Sequence, residues 1–268
     1  MSARIAVAAT APFGADVLER LAGSHEIGSL LTRPDAPAGR GRRLAAPPAK
    51  QVAVRLGIPV LQPTKLEPGL ELGAPTVVVV AYGRLVPEEL LAERLWLNVH
   101  PSLLPRWRGA APVERALMAG DVETGVTIHR TVKELDAGPI AAQAAFLVEE
   151  DDDAGEVYAR AGALAADLLD DVLEDPSPTF HPQPEEGVTY ASKIEPDDRI
   201  LDLAKPAREL VDAVRALSPH IGARAELEGR SVTVWRARVG ENGVFEPLEV
   251  QPDGGRRMEY EAWLRGLR

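Results

Sequence analysis

Short apolar runs alternate with amphipathic stretches along the first 120 residues of the chain. The run at 76–82, TVVVVAY, holds four consecutive valines with no polar alternation, which is typical of a central strand covered on both faces. Other apolar runs predict strands at Arg4–Ala9, 26–32, 58–61 and Leu95–His100, and the amphipathic stretches predict helices at 16–21, 47–56 and 111–119. This alternation predicts an α/β fold with a doubly wound, mostly parallel sheet, whose site lies beyond the carboxyl ends of the strands.

The pattern changes in the second half of the chain. After a proline-rich break near residue 180, short β segments recur with glycine-containing turns between them, as in a small β-barrel. The predicted elements are strands at 125–132 and 140–148, helices at 154–173 and Ala207–Leu217, and β segments at 222–227, 231–239 and 244–250. We therefore expect a catalytic domain at 1–184, a linker at 185–203 and a smaller C-terminal β-barrel-like domain at 204–268.

The negative charge of the chain is concentrated in one segment. The net charge is −11, and the absence of cysteine excludes disulfides, thiolate metal sites and a cysteine nucleophile. Residues 145–200 hold 16 acidic and 3 basic side chains, whereas residues 1–144 carry a net charge of +2. Because salt limits electrostatic reach to about 8 Å, the acidic total does not exclude a basic surface that binds RNA.

Neither the first strand nor the most apolar stretch is typical of a membrane segment. Charged residues return by Asp16, which is unlike a signal peptide, and 76–82 is far too short to span a bilayer. We expect a cytoplasmic protein that has no membrane partner and acts as a monomer.

Three polar residues are the candidates for chemistry. Asn98 and His100 alternate at the end of a predicted strand, so both side chains face the same side, about 7 Å apart. Asp136 lies in a Leu-Asp-Ala-Gly turn that could bring its carboxylate to them. An amide donor, an imidazole and a carboxylate suit acyl or formyl transfer to an amine, because the amine is itself the nucleophile and an oxyanion must be stabilised.

Spacing alone leaves open that Asn98, His100 and Asp136 have ordinary structural roles. The remaining histidines show no metal-ligand spacing and are interpreted as structural or surface residues: 25, 129, 181 and 220. We expect no metal site.

Longer motifs resemble the folate-dependent formyltransferase family. The two most specific are NVHPSLLPRWRGAAP at 98–112 and TRPDAPAGRGRRL at 32–44. Further similarities follow in order along nearly the whole chain: VAYGRLVP at 80–87, ETGVTI at 123–128, VTYASKI at 188–194 and QPDGGRRM at 251–258. The resemblance implies a Rossmann-like catalytic domain followed by an OB-like domain.

The resemblance also implies roles for individual residues. Asn98, His100 and Asp136 would take the catalytic positions. Two loops would hold the folate, one contacting the tetrahydrofolate through Ser102, Leu103, Leu104 and Pro105, and one lining the pterin pocket through Tyr82, Gly83, Arg84, Leu85 and Val86. The donor would be 10-formyltetrahydrofolate, and the acceptor would be the α-amino group of methionine on initiator tRNA.

A basic segment near the N-terminus is the candidate RNA contact. Prolines and glycines make 34–41 a predicted loop, and a basic loop can lie along phosphates. With the resemblance, we expect this loop to bind the acceptor arm of the tRNA through Arg33, Arg40, Gly41, Arg42, Arg43 and Lys50. A second candidate phosphate surface lies in the C-terminal domain, at Arg224, Arg230, Arg236, Arg238, Arg256 and Arg257.

The sequence departs from the family pattern in two places. Ala9 stands where the family has glycine at the end of the first strand, and only GENG separates Val239 from Val244, which predicts a shortened C-terminal domain. Three other functions remain open: an N-formyltransferase for a nucleotide-linked amino sugar, a hydrolase that releases formate from the same folate, and an RNA-binding module without catalysis.

Overall fold

A computed structural model describes residues 2–38 and 43–267. These residues fall into two compact units, the first drawn from Met1–Arg108, Gly125–Ala145 and Ala159–Thr189 and the second from Gly109–Thr124, Phe146–Tyr158 and Tyr190–Arg268. No helix among the described residues is long and apolar enough to cross a membrane.

The helices match the predicted amphipathic stretches, with two short additions. They are α1 (Pro12–Ser24), α2 (Pro48–Arg55), α3 (Glu88–Leu91), α4 (Pro112–Met118), α5 (Ala154–Glu174), α6 (Ala207–Leu217) and α7 (Tyr260–Arg265), with a 3₁₀ turn at Pro196–Arg199. Helix α1 extends beyond the predicted 16–21 because Pro12 suits the first helical turn, where its missing N–H costs nothing. The additions are α3 and α7, which are four and six residues long and too short for a helical period to be visible in the sequence.

The strands include several pairs that no sequence pattern indicated. In chain order they are β1 (Arg4–Ala9), β2 (Glu26–Leu31), β3 (Ala36–Ala38), β4 (Arg43–Ala45), β5 (Val60–Leu61), β6 (Thr76–Val80), β7 (Leu95–His100), β8 (Arg108–Gly109), β9 (Glu123–Arg130), β10 (Ile140–Leu147), β11 (Tyr190–Ala191), β12 (Ala223–Leu227), β13 (Arg230–Val239), β14 (Phe245–Pro252) and β15 (Met258–Glu259). Strand β3 lies within the predicted loop at 34–41 and pairs antiparallel with β4, and β8 pairs with β11.

The sheet of the first unit is mostly parallel, as predicted. Its strand order is β10-β9-β7-β6-β1-β2-β5, with parallel pairing from β7 to β5 and antiparallel pairing between β7 and β9. The valines of β6 are buried, which explains why that strand lacks polar alternation. The chain turns back from β5 to β6 on the other side of β1, so the order of the strands switches beside the carboxyl ends of β1, β6 and β7.

The second unit contains a four-stranded antiparallel sheet in the order β12-β13-β14-β15. Its core combines one face of that sheet with α6 and α7, through apolar side chains such as Leu210, Val214, Val232, Val234 and Trp263. Strands β12 and β15 lie at opposite edges and do not pair with each other, so the sheet formed by the described residues is open. The described residues thus show a sheet with two edges, and the predicted shortening of this domain stays a prediction.

A buried arginine ties separate segments of the second unit together. Arg215 of α6 pairs with Asp212 at 2.9 Å and donates to the carbonyl groups of Asp152 and Glu149, each at 2.7 Å. The buried positive charge of Arg215 is therefore balanced by the Asp212 carboxylate and the two carbonyl groups, and a buried charge without such partners would be strongly destabilising. The segment at 146–158, which precedes α6 by some fifty residues, belongs to the same unit, and Ala154 and Val157 also pack in one cluster with Ala216 of α6.

Candidate active site

Strand β7 lies beside β6, one strand from the switch between β1 and β6, and carries Asn98 and His100. Its neighbour β6 places Val79 opposite Asn98, and the antiparallel neighbour β9 places His129 opposite Asn98 and Thr127 opposite His100. Alternation along β7 puts Asn98 and His100 on one face of the sheet, as the sequence predicted. His100 is buried.

Asp136 reaches both of these side chains from the turn after β9. The Nδ2 group of Asn98 donates to Asp136 Oδ1 at 3.2 Å, and His100 Nδ1 lies 3.6 Å from Asp136 Oδ2. The φ angle of Asp136 is +47°, in the left-handed region that L-residues seldom adopt. The structure therefore brings together the three residues that the sequence grouped.

The orientation of the His100 ring is set by a backbone carbonyl. A carbonyl can only accept, so Nε2–H of His100 donates to the carbonyl of Trp107 at 2.8 Å. In the neutral ring the lone pair is then on Nδ1, the nitrogen that faces Asp136. Nδ1 is thus the ring atom available for proton transfer.

Burial lowers the pKa of His100, and this outweighs the Asp136 carboxylate, which raises it. The hydrogen bond to the Trp107 carbonyl also raises the pKa but does not reverse the shift. We therefore expect His100 to be neutral at pH 7 until a proton arrives on Nδ1.

His129 belongs to the same cluster, although the sequence analysis treated it as structural. Its Nδ1–H donates to the Arg130 carbonyl at 3.0 Å, so its Nε2 can accept from Asn98 Nδ2, also at 3.0 Å. Burial lowers the pKa of His129 to about 4, which keeps this ring neutral and able to accept. The two amide hydrogens of Asn98 are thus directed at His129 and Asp136. Only the register of β7 against β9 reveals this contact, and that register is not visible in the sequence.

The predicted folate loop at 102–105 is fixed by two polar side chains. Thr127 Oγ1 donates to the Ser102 carbonyl at 2.7 Å and accepts from the Leu104 amide at 3.1 Å. Gln143 Nε2 donates to the Leu104 carbonyl at 3.0 Å and to Thr127 Oγ1 at 2.7 Å. The sequence did not identify Thr127 and Gln143 as site residues, although Thr127 lies in the ETGVTI motif, because both act by holding the backbone of another segment.

The second predicted folate loop, 82–86, follows β6 directly. Thr10 Oγ1 donates to the Tyr82 carbonyl at 2.9 Å, and Arg84 donates to the carbonyls of Pro63 and Thr64 at 2.8 and 2.9 Å. Leu85 is 83% exposed at the tip of this loop, whereas the Tyr82 side chain is buried. The loop therefore has a fixed base and an accessible apolar tip.

The predicted tRNA-binding residues fall into three groups. Arg40, Gly41 and Arg42 lie outside the described residues. Arg33 and Arg43 are exposed, and the Arg33 guanidinium lies beside Gly83 of the predicted folate loop at 82–86. Lys50 Nζ donates to both oxygens of Asp35 at 2.7 and 2.8 Å and to Gln62 Oε1 at 2.8 Å, so its charge is balanced within the protein.

Among the described residues, no group of three or more His, Cys, Asp or Glu side chains could hold a metal ion. The cluster itself offers an amide donor, a neutral imidazole and a carboxylate. These groups can donate to an oxyanion and accept a proton.

Comparison with known proteins gives a consistent result. The formyl transferase family profile matches residues 3–173, and the profile of the formyl transferase C-terminal domain matches residues 193–247. A methionyl-tRNA formyltransferase of Halorhodospira halophila is 40% identical over 303 aligned positions, covering 100% of this chain and 97% of the relative. That of Methylobacterium sp. is 41% identical over 304 positions, with the same coverage. Both alignments are longer than the 268 residues of this chain, so each relative carries residues where this chain has none.

Among solved structures, the fold is similar to that of an N-formyltransferase from Helicobacter canadensis in complex with folinic acid and dTDP-3-aminofucose. The TM-score is 0.68, with 16% identity over 97% of this chain and 99% of that one. At this identity the likeness concerns the fold alone.

Proposed function

The chain belongs to the formyl transferase family, and from that premise we propose that it transfers the formyl group of 10-formyltetrahydrofolate to the α-amino group of methionyl initiator tRNA. The observation that carries the proposal is the convergence of Asn98, His100 and Asp136 in a chain whose relatives at 40 and 41% identity are methionyl-tRNA formyltransferases. Such an enzyme supports translation initiation, and we place it in the cytoplasm.

The proposed reaction begins when the neutral amine of methionine attacks the formyl carbon. A C–N bond forms, and the carbonyl electrons move onto oxygen. Asn98 Nδ2 then donates to this oxyanion in place of one of its present acceptors, while His129 continues to orient the amide. One such donor typically lowers a barrier by about 3–4 kcal/mol.

The second half of the reaction is a proton transfer. The amine nitrogen loses a proton to Nδ1 of His100, and the resulting imidazolium is stabilised by Asp136, 3.6 Å away. The bond between the formyl carbon and N10 of the folate then breaks, and N10 takes the proton from His100. Charge and protons balance without a covalent enzyme intermediate.

Folate binding is assigned to the two loops described above. The 102–105 loop begins two residues after His100, and the 82–86 loop follows the adjacent strand β6. Backbone donors and acceptors of such loops complement a pterin edge, which presents both kinds of group. The folinic acid bound by the N-formyltransferase of similar fold is consistent with a folate donor.

The domain assignment of 1–184, 185–203 and 204–268 remains part of the proposal. The first of these ranges would hold the chemistry and the last would add a phosphate-binding surface. Two arginines of this proposed surface already have partners. The Arg257 guanidinium carbon lies 4.1 Å from the centroid of the Trp235 ring, and Arg224 Nη2 lies 3.2 Å from Asp253 Oδ1.

One experiment tests the proposed function directly. We expect incubation with 10-formyltetrahydrofolate and charged initiator tRNA to yield formylmethionine, detected by mass analysis of the amino acid released from the tRNA. Formylation of a nucleotide-linked amino sugar but not of methionyl-tRNA would favour the first alternative. Formate release without tRNA would favour the hydrolase, and tRNA binding that is unaffected by Asn98→Ala and His100→Ala, without any turnover, would favour the binding module.

A second prediction concerns the basic loop. Replacing Arg40, Arg42 and Arg43 by alanine is expected to raise the KM for tRNA and to flatten its dependence on salt, while the KM for folate changes little. Each lost phosphate contact should reduce, by about 0.7–0.9, the slope of the logarithm of the tRNA association constant against the logarithm of the salt concentration. The reason is that fewer counterions are released on binding. The measurement is the KM of each substrate across a series of salt concentrations.

The matched control removes three positive charges elsewhere. Arg4, Arg20 and Lys65 are exposed and already pair with the carboxylates of Glu26, Asp16 and Glu67 at 3.0–3.5 Å, and their replacement should leave the salt slope unchanged. A rise in the folate KM after the loop substitutions would instead show that the loop serves the donor.

A further inference from the structure

A side chain distant in sequence holds the turn that carries Asp136. Nε2 of Gln183 donates to the carbonyls of Asp136 and Gly138, both at 2.8 Å. The segment of Gln183 is itself fixed to β10, since the backbones of His181 and Ile140 exchange hydrogen bonds at 2.7 and 2.9 Å. Both amide hydrogens of Gln183 thus donate to carbonyl groups of the turn that carries Asp136.

The turn needs such support because its backbone is unfavourable on its own. Asp136 has a φ of +47°, and this left-handed conformation is unfavourable for a residue other than glycine because Cβ approaches the following carbonyl oxygen. Gly138 packs so close to the Arg130 carbonyl that a Cβ would collide with it. Two carbonyl groups held by one amide can keep the chain in this conformation.

The other end of Gln183 leads back to the His100 segment. Its Oε1 accepts from Nε and Nη2 of Arg108 at 3.1 and 2.6 Å. Arg108 follows Trp107, whose carbonyl accepts from His100 and whose amide donates to Thr189 Oγ1 at 2.8 Å. One glutamine therefore connects the turn of Asp136 with the segment that orients His100.

We propose that Gln183 is a positioning residue that fixes the Asp136 carboxylate against His100 and Asn98, with Arg108 holding the glutamine in place. Gln183 acts through the backbone of the Asp136 turn and touches no reacting atom. The inference rests on the proposed function, because it assigns the catalytic effect to Asp136.

The kinetic test uses Gln183→Ala in the full chain. Loss of two hydrogen bonds is expected to lower kcat by about 10- to 100-fold, with the KM for folate and for tRNA within about twofold of the wild type. The control is Gln51→Ala, since exposed Gln51 also donates to a backbone carbonyl, that of Ala46 at 3.0 Å, but lies in α2. It should leave kcat unchanged.

A double-mutant cycle separates positioning from a general loss of structure. If Gln183 works through Asp136, then adding Gln183→Ala to Asp136→Asn should reduce kcat by less than about twofold further. Losses that multiply, or a kcat within about twofold of the wild type in Gln183→Ala, would overturn the proposal.

A measurement that needs no turnover completes the test. The ¹⁵N resonances of the His100 ring should shift in Gln183→Ala and stay in place in Gln51→Ala, because only the first change moves the Asp136 carboxylate. Unchanged His100 resonances in Gln183→Ala would contradict the positioning role. A wild type that forms no formylmethionine would contradict the proposed function instead, and the resonances would still decide the role of Gln183.

Discussion

Replacing His100 by alanine is expected to lower kcat for formyl transfer by about 1,000-fold or more, while the protein stays folded. Proton transfer by a positioned side chain contributes about 10²- to 10⁴-fold, and His100 is the group that moves the proton between the amine and N10 in the proposed reaction. Its ring is held ready for this by the Trp107 carbonyl and the Asp136 carboxylate. The measurement is single-turnover transfer to methionyl-tRNA, with thermal unfolding as a check on the fold.

The pH dependence of the wild type follows from the environment of His100. Burial lowers the pKa of this residue below the ordinary value of about 6.5, so its base form persists below that pH. The rate should therefore decline only as the pH falls further, when protonation removes the acceptor on Nδ1. Asp136→Asn removes a charge that raises the pKa, and it should move the acid limb to still lower pH.

The matched control for His100 is His220→Ala, since His220 is an exposed histidine of the second unit. We expect its kcat to stay within about twofold of the wild type. A kcat of His100→Ala that remained within about tenfold of the wild type would exclude His100 as the proton carrier.

Replacing Asn98 by alanine is expected to lower kcat by about 100- to 1,000-fold, with little change in the KM for folate. Removal of one donor to an oxyanion typically has this effect, because the donor acts where charge develops in the transition state. The substitution also leaves His129 Nε2 and Asp136 Oδ1 without the amide that now donates to both. The steady-state constants for both substrates provide the measurement.

Asn98→Ala has a natural control in Asn242→Ala. Asn242 is exposed in the turn between β13 and β14, so its loss should not alter kcat. An unchanged kcat in Asn98→Ala would mean that another donor stabilises the oxyanion. A raised folate KM with unchanged kcat would show that Asn98 binds the donor rather than the transition state.

The fold could be predicted to a large extent because its strongest signals are local. The four valines of β6 are typical of a strand covered on both faces, and the alternation of strands and helices indicated a mostly parallel sheet. What the pattern missed was short: β8 and β11 are two residues each, and α3 is four. Elements of that length are stabilised by contacts with segments distant in the sequence, and they are too short to show a periodic pattern of apolar residues.

The three residues of the candidate site could be proposed from the sequence, but the residues that hold them in place could not. Asn98 and His100 share a strand, so alternation alone places them on one face, and the Leu-Asp-Ala-Gly turn indicated Asp136 as the third candidate. His129, Thr127 and Gln143 reach the site through strand register, and Gln183 through a bridge to β10. Lys50 shows the converse, since its charge suggested a phosphate contact, while the fold surrounds its ammonium group with Asp35 and Gln62.

By itself the sequence grouped an amide, an imidazole and a carboxylate as the candidates for chemistry, and predicted that they lie beyond the carboxyl ends of a mostly parallel sheet. Only the tertiary structure decided how far apart they are, which nitrogen of His100 is available, and which neighbours keep Asp136 in a left-handed turn. The physical reason is that residue type and the alternation of side chains determine only local structure, over a few neighbouring positions of the chain. Register, burial and the pKa that burial sets depend on segments that meet only after folding.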